Sequence, residues 1–313
     1  MTTTIPRPDT RRHVSEASSS VRRHTVGRNL WWFVLPALAV YLYVIVVPTA
    51  QGIYMSFTDW SGYSRSRNFV GTENYRSILD GTSRDAVMRT VVIAVVTMAI
   101  QNVVGLLLAL ALTARVFARN VLRTLIFAPV IVSPLVCGYL FKYIFAPPGI
   151  GAANDVLAAV GLGQFQRDWL GEPGTALNAV IIVICWQFVG MSMVIYLAGL
   201  QSVPAELLEA AAIDGAGAVR RFWYVVRPLL APAITINLML SLIGGLKIFD
   251  QIYATTQGGP AGQTETISTL IYKQFSTLGA YGQSAALAVT LAIGVAVLSL
   301  MQFMVLRRQE RSV

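Results

Sequence analysis

The chain carries little charge for its length. Only 12% of its 313 residues are Asp, Glu, Lys or Arg, whereas 55% are hydrophobic. A soluble domain has about a quarter charged residues, and so few charges could not cover a water-exposed surface of this size. The shortage of charge therefore excludes a water-soluble globular fold and indicates a polytopic membrane protein.

Histidine and cysteine are scarcer still. Both histidines, His13 and His24, lie near the N-terminus, and both cysteines, Cys137 and Cys185, lie within apolar stretches. This distribution offers no Cys/His spacing for a metal ion and no disulfide framework. It also excludes a histidine-based catalytic site in the body of the chain. We predict that the cysteines are buried as small hydrophobic side chains.

Nucleotide-binding motifs and intramembrane carboxylates are also missing. The sequence has no G-x-x-x-x-G-K-[ST], so it cannot cradle ATP phosphates in a P-loop, and no cofactor is predicted on this chain. The alternative of an ion-coupled secondary transporter or channel would require acidic relays, and the apolar stretches have no Asp or Glu at mid-depth. A membrane enzyme, the third hypothesis, lacks paired carboxylates in the same stretches.

What the sequence does have is long apolar stretches. Each is of the order of the 20 residues needed to cross a bilayer, and the first is longer than the 7–15 residue core of a signal peptide. We therefore predict an all-α polytopic membrane protein whose six transmembrane helices leave both chain ends on one side. The predicted spans are 30–56, 88–114, 121–146, 175–200, 229–249 and 284–306.

The basic residues predict the orientation. Residues 1–28 contain six arginines and are predicted to be a disordered basic tail. Contact of its arginines with anionic membrane lipid is the alternative to a fully solvated tail, which is the better explanation. Together with the second and fourth loops and the C-terminus, this side of the membrane carries fifteen Lys and Arg, against seven on the other. By the positive-inside rule, both termini are cytoplasmic. Because the arginines lie beside spans, the net charge of +9 does not indicate nucleic-acid binding.

A polar interruption at residues 203–232 separates the fourth and fifth spans. Its sequence, VPAELLEAAAIDGAGAVRRFWYVVRPLLAP, predicts two short helices joined by a turn at Asp214-Gly215, because glycine adopts positive φ without penalty. Pro228 and Pro232 are expected to limit the second helix. The alanines of the first helix form a smooth ridge that could enter a groove of another protein.

This loop closely resembles the EAA loop of binding-protein-dependent ABC importer permeases. The resemblance implies that residues 203–228 are cytoplasmic and dock into a cleft of an ATP-hydrolysing subunit, coupling its motion to the spans. Arg227 and Val219 depart from the usual pattern and leave the exit geometry of the loop open. The predicted coupling residues are Glu206, Glu209, Ala210, Ala211, Asp214, Gly215, Ala216, Phe222 and Pro228.

Other segments are similar to the carbohydrate-importing branch, particularly the first permease of maltose- and glycerol-phosphate-type systems. The resemblance implies a bacterial-type cell membrane, a second permease subunit, two ATP-binding subunits carrying ATP and Mg, and an external solute-binding protein. The solute would be an oligosaccharide, disaccharide or polyol-type sugar. The segments are Ser56-Phe57-Thr58-Asp59-Trp60, Asn68-Phe69-Val70-Gly71, Asn74-Tyr75, Phe249-Asp250, Gly258-Gly259-Pro260, Thr264-Glu265-Thr266 and Tyr281-Gly282.

Polar side chains within the spans are costly and are candidates for a transport pathway. Sugars are held by hydrogen bonds and by an aromatic face against the ring. Gln101-Asn102 is better explained by hydrogen bonds between helices, and Lys247 could instead pair with Asp250. The predicted pathway residues are Trp186, Gln187, Asn237, Ser241 and Lys247.

Overall fold

A computed structural model describes residues 31–63, 67–79, 81–113 and 117–310. The basic tail predicted at 1–28 lies outside these residues. Short 3-10 turns occur at Ser77–Leu79 and Gly163–Phe165, and Thr58 and Phe69 form an isolated β-bridge. The α-helices are α1 Trp31–Tyr41, α2 Val47–Met55, α3 Glu73–Arg76, α4 Gly81–Thr113, α5 Arg119–Ile131, α6 Pro134–Ile144, α7 Ala152–Ala159, α8 Ala176–Gln201, α9 Ala205–Ile213, α10 Ala218–Arg221, α11 Arg227–Leu246, α12 Asp250–Thr255, α13 Ile267–Ser276 and α14 Tyr281–Glu310.

The all-helical membrane fold is confirmed. Within the described residues, five helices are long and apolar enough to cross a membrane, and a sixth span results if one bent pair is counted as a single crossing. The five unbroken spans are Trp32–Met55, Gly81–Thr113, Ala176–Gln201, Ala218–Leu246 and Tyr281–Arg307. The second of these begins seven residues before the predicted start at residue 88.

The predicted span 121–146 is not one continuous helix. Helix α5 ends at Ile131, helix α6 begins at Pro134, and the two are bent by 100°. Val132 and Ser133 between them are extended, with ψ of 135° and 133°. Pro134 contributes to the break, because a proline ring disfavours helical backbone in the residue before it.

The expectation that Pro228 and Pro232 limit the second helix of the loop is wrong. Helix runs from Ala218 to Leu246 through both prolines. The five residues before Arg227, Phe222–Val226, form wider π turns, and such turns relieve the crowding between a proline ring and the carbonyl four residues earlier. The coupling loop is therefore joined to the fifth span by one unbroken helix.

Residues 31–49 form a unit of their own, and the packing described from here on is that of residues 50–313. There α4 packs against both α8 and α11, and glycines let the backbones approach closely. A Cβ placed on Gly105 would lie 2.6 Å from that of Ser192, and one on Gly245 would lie 2.7 Å from the Ala94 Cα. The contact of these three helices places their polar side chains around one central space.

Candidate functional site

The coupling loop presents its first helix outwards. No residue of α9, Ala205–Ile213, is buried, and Ile213 is 86% exposed. Glu206, Glu209 and Ala210 are exposed, and Ala211 is half-buried. An exposed alanine ridge flanked by two carboxylates is a surface that another protein can approach closely.

The end of α9 is a Schellman motif centred on Gly215. The Ala216 N–H donates to the Ala211 carbonyl at 2.9 Å, and the Gly215 N–H donates to the Ala212 carbonyl at 3.1 Å. Gly215 has a φ of +77°, which glycine adopts without the penalty that a Cβ brings. The Asp214-Gly215 turn predicted from the sequence is therefore present and has a defined geometry.

The loop then continues into the membrane span. Of the remaining predicted coupling residues, Ala216 is half-buried just before the helix that starts at Ala218. Phe222 and Pro228 lie within that helix and are both half-buried. The helix that starts at Ala218 runs without a break into the fifth span.

A cavity of about 280 Å³ lies among α4, α8 and α11, at the start of α6 and the segment leading into α12. Its apolar wall includes the aromatic rings of Phe188 and Phe249. Its polar lining residues are Gln101, Ser192, Asn237, Ser241, Lys247, Asp250 and Gln251. Amides, hydroxyls and aromatic rings around one space can hold a polyhydroxylated solute.

Three of the five predicted pathway residues, Asn237, Ser241 and Lys247, line this cavity. The other two, Trp186 and Gln187, do not. The Trp186 ring is 42% exposed and packs edge-on against the Phe141 ring, with a centroid distance of 5.0 Å. The structure thus brings the α11 candidates together and turns Trp186 towards α6.

Gln187 connects the helix break to α12. It is fully buried, and its Nε2 donates to the Val132 carbonyl at 2.9 Å. Its Oε1 accepts from the Gln251 amide at 2.7 Å. Because Val132 lies between α5 and α6, the bond from Gln187 satisfies a carbonyl that the broken helix leaves without a helical donor. The bond from Gln251 links the same side chain to α12.

Asn102 joins three helices, as the interpretation of helix-to-helix bonding expected. Its Nδ2 donates to Ser241 Oγ at 2.9 Å, and the Tyr196 hydroxyl donates to its Oδ1 at 2.6 Å. Gln101 lines the cavity instead, and sequence reasoning missed it. Neighbouring helical residues point about 100° apart, so the two amides of this pair face different surroundings.

The Asn237 amide is an exception among the buried polar groups. Asn237 is 2% exposed, yet its Nδ2 has no hydrogen-bond partner among the described residues. It interacts electrostatically with the Tyr196 hydroxyl, which already donates to Asn102. A buried donor left unpaired at a cavity wall is costly unless something binds there.

The expected pairing of Lys247 with Asp250 is wrong. Helix α11 ends at Leu246 and α12 starts at Asp250, so the two side chains do not share a helix face. Both are exposed, and no ion pair joins them among the described residues. The rim of the cavity therefore carries one positive and one negative charge.

The sugar-branch segments near the first loop come together in one small module. Buried Asn74 donates from Nδ2 to the carbonyls of Ser56 and Thr58, each at 2.9 Å. The Asn68 side chain and backbone N–H both donate to the Asp59 carboxylate at 2.9 Å. These bonds lower the pKa of Asp59 below its usual value.

The start of α14 closes this module. The Gly282 N–H donates to the Trp60 carbonyl at 3.1 Å, and a Cβ on Gly282 would overlap the Thr58 carbonyl. The Tyr281 ring packs on Trp60 with centroids 5.1 Å apart. Two neighbouring segments of the first loop and the distant residues 281–282 thus form one surface where the last span begins.

Membrane-crossing helices around a cavity with polar and aromatic lining residues, one of them leading from the turn of an exposed loop, are the arrangement of a membrane permease. The chain belongs to the family described as "Binding-protein-dependent transport system inner membrane component", which matches residues 101–311. That match includes the cavity residues, the coupling loop and the last span.

Relatives match almost the whole chain. The probable starch degradation products transport system permease protein AmyD of Thermoanaerobacterium thermosulfurigenes is 34% identical, over 90% of this chain and 94% of its own. The multiple sugar-binding transport system permease protein MsmF of Streptococcus mutans is 34% identical, over 90% and 96%. A chain of a bacterial ABC transporter for import of the acidic polysaccharide alginate shares the fold, with a TM-score of 0.77, 23% identity, and coverage of 90% and 95%.

Proposed function

We propose that this protein is the permease subunit of an ATP-driven importer and passes a sugar through its central cavity. One observation carries the proposal: the helix Ala218–Leu246 joins the turn at Gly215 to the cavity wall at Asn237 and Ser241. A continuous helix of this kind can transmit a displacement of the loop to the solute site. The chain itself would not hydrolyse ATP.

The lining of the cavity suits a sugar. Asn237 offers an unpaired donor, Gln101 offers a side-chain amide, and Phe188 offers an aromatic ring. These are the groups that bind hydroxyls and the apolar face of a sugar ring. The names of AmyD and MsmF refer to starch degradation products and to multiple sugars, which supports an oligosaccharide, disaccharide or polyol-type solute here.

The proposal includes partners. ATP and Mg would be held by two ATP-binding subunits that receive Glu209 and its neighbours, with the loop and both termini in the cytoplasm. A second permease subunit would complete the pathway, and an external solute-binding protein would deliver the sugar. The family is binding-protein-dependent by its description, and a structure of the related alginate transporter contains a pentasaccharide-bound periplasmic protein.

Purification of the tagged protein in mild detergent tests these partners. We expect a second permease and an ATPase to be retained, and Glu209→Lys to release the ATPase while the second permease stays bound. Recovery of the chain alone, stable and folded, would contradict the proposal. Uptake driven by an ion gradient in vesicles without ATPase subunits would favour the ion-coupled alternative.

Replacing Asn237 by leucine is expected to weaken sugar uptake without unfolding the protein. The Asn237 Nδ2 has no hydrogen-bond partner in the described chain, so leucine of similar size removes a cavity donor and, within the protein, only the electrostatic interaction with the Tyr196 hydroxyl. The loss of one hydrogen bond to the solute predicts a rise in the apparent KM of about tenfold. The measurement is the concentration dependence of uptake in vesicles containing the assembled transporter.

The matched control is Asn102→Leu. This asparagine bonds to Ser241 and Tyr196, so its loss leaves buried polar groups unpaired and should lower the melting temperature. Asn237→Leu should melt as the wild type does. If Asn237→Leu lowers the melting temperature and Asn102→Leu does not, Asn237 is a structural residue and its assignment to the solute pathway is wrong.

A further inference from the structure

A second concave surface lies just after the coupling turn, on the helix that leads into the fifth span. This surface, the Arg220–Arg227 pocket, has a volume of about 600 Å³. Two of its residues, Val219 and Arg227, are the positions at which the loop departs from the usual coupling pattern. Its lining residues are Val219, Arg220, Trp223, Tyr224 and Arg227.

The pocket is basic and aromatic. Arg220 and Arg227 are both exposed, and neither forms an ion pair within the part of the chain that the structure describes. The Arg227 guanidinium carbon lies 5.1 Å from the Trp223 ring centroid. Trp223 is 53% and Tyr224 is 78% exposed. Two positive charges without a carboxylate, beside amphipathic rings, form a site for an anion that also has an apolar part.

The depth of the pocket follows from the length of the uncharged part of the span Ala218–Leu246, which is residues 229–246. Residues 229–246 form eighteen helical positions, which cover about 27 Å and match a hydrocarbon core of about 30 Å. Arg227 is therefore at the edge of that core, and Trp223 lies about 6 Å further out. The headgroup layer occupies about 5–8 Å beyond each edge, and tryptophan and tyrosine prefer this depth.

We propose that the Arg220–Arg227 pocket binds the phosphate headgroup of an anionic phospholipid. Arginine binds phosphate oxygens through paired N–H donors, while the two rings contact the glycerol and the first acyl carbons. A carboxylate of a soluble ATPase would have to enter the headgroup layer to reach Arg227. The lipid holds the helix in position where it leaves the membrane, a few residues after the turn at Gly215. That this leaflet is cytoplasmic rests on the proposed function.

The test measures lipid binding by the full-length chain alone. Purified protein in detergent is titrated with phosphatidylglycerol or, as the reference, phosphatidylcholine, and bound lipid is counted by native mass spectrometry. We expect the double variant Arg220→Gln/Arg227→Gln to bind phosphatidylglycerol at least tenfold more weakly than the wild type. Arg220→Lys/Arg227→Lys should recover part of the affinity because it keeps both charges.

Arg307→Gln is the matched control. Arg307 also lies over an aromatic ring, Phe303 at 5.6 Å, near the end of a span, but has no place in this pocket. It should bind within twofold of the wild type. Equal melting temperatures in phosphatidylcholine exclude unfolding as the cause of any loss.

Three results would overturn the proposal. The first is equal phosphatidylglycerol binding by the double variant and the wild type. This result would count against the lipid site even if the double variant also failed to retain the ATPase subunit in the co-purification experiment. The second is displacement of the lipid by millimolar inorganic phosphate, which would identify a site for the free ion. The third is equal loss in Arg307→Gln, which would indicate general charge attraction. The two experiments are independent. None of these results changes the outcome expected of the co-purification experiment, and failure to retain the partner subunits there would not contradict lipid binding by the chain alone.

Discussion

Replacing Gly215 by valine is expected to abolish solute uptake while the membrane-spanning helices stay folded. Gly215 has a φ of +77°, and its position in the Schellman motif defines the angle between α9 and the helix that starts at Ala218. A β-branched residue in left-handed backbone costs at least 1–2 kcal/mol, so the turn opens. Nothing lies within 4 Å of a Cβ at Gly215, so the effect arises from the backbone alone.

The measurement is uptake together with ATP hydrolysis in the reconstituted transporter. We expect uptake to fall at least tenfold, with stimulation of the ATPase by solute lost and membrane insertion unchanged. Gly217→Val is the control, because Gly217 has a φ of −66° and also has open space around a Cβ. Gly215→Asn should keep part of the activity, since asparagine tolerates left-handed backbone. Normal uptake by Gly215→Val would refute the coupling mechanism.

This turn is a feature that the sequence predicts well, because its causes are local. The Asp214-Gly215 pair follows a run of alanines. Helix formers followed by a glycine are sufficient to place the end of α9. The long apolar spans are predicted for a similar reason, since hydropathy depends only on composition over about 20 residues. Both features are decided by residues adjacent in the chain.

The break between α5 and α6 could not be predicted in this way. Hydropathy continues across residues 121–146, and proline alone does not mark the bend. Pro129 and Pro232 lie inside helices, whereas Pro134 starts a new one. What distinguishes Pro134 is the bond from Gln187 to the Val132 carbonyl. That bond joins residues 55 positions apart, so no local sequence pattern predicts it.

The same limit applies to the cavity. On a helix that is apolar all round, the sequence does not show which polar residue faces the solute. Gln187 and Phe188 are neighbours, yet Phe188 lines the cavity and Gln187 connects to Gln251 on α12. Asn237 and Ser241 are four residues apart and so share one face of α11. Sequence spacing shows which residues share one face of a helix, but the packing of the helices decides whether that face points towards the cavity.

Close packing around the helix break gives the second large prediction, that Gly190→Val prevents folding. Gly190 on α8 lies against α5, where a Cβ would overlap the Ile126 carbonyl and lie 2.9 Å from the Phe127 Cα. These are backbone atoms, so no side-chain rotation can relieve the overlap. The α5 backbone would have to move away from α8, and the Gln187 bond to Val132, three residues earlier on α8, would break with it.

We expect Gly190→Val to give little monodisperse protein in detergent, with a melting temperature at least 10 °C below that of the wild type for whatever is recovered. The control is Gly294→Val in α14, a helical glycine with nothing within 4 Å of a Cβ. Valine there removes a flexible residue and should leave the yield unchanged. Equal yields and melting temperatures for the two variants would show that α5 does not cross α8 at Gly190. In that case, the broken helix and the cavity wall that begins at Pro134 would need a different arrangement.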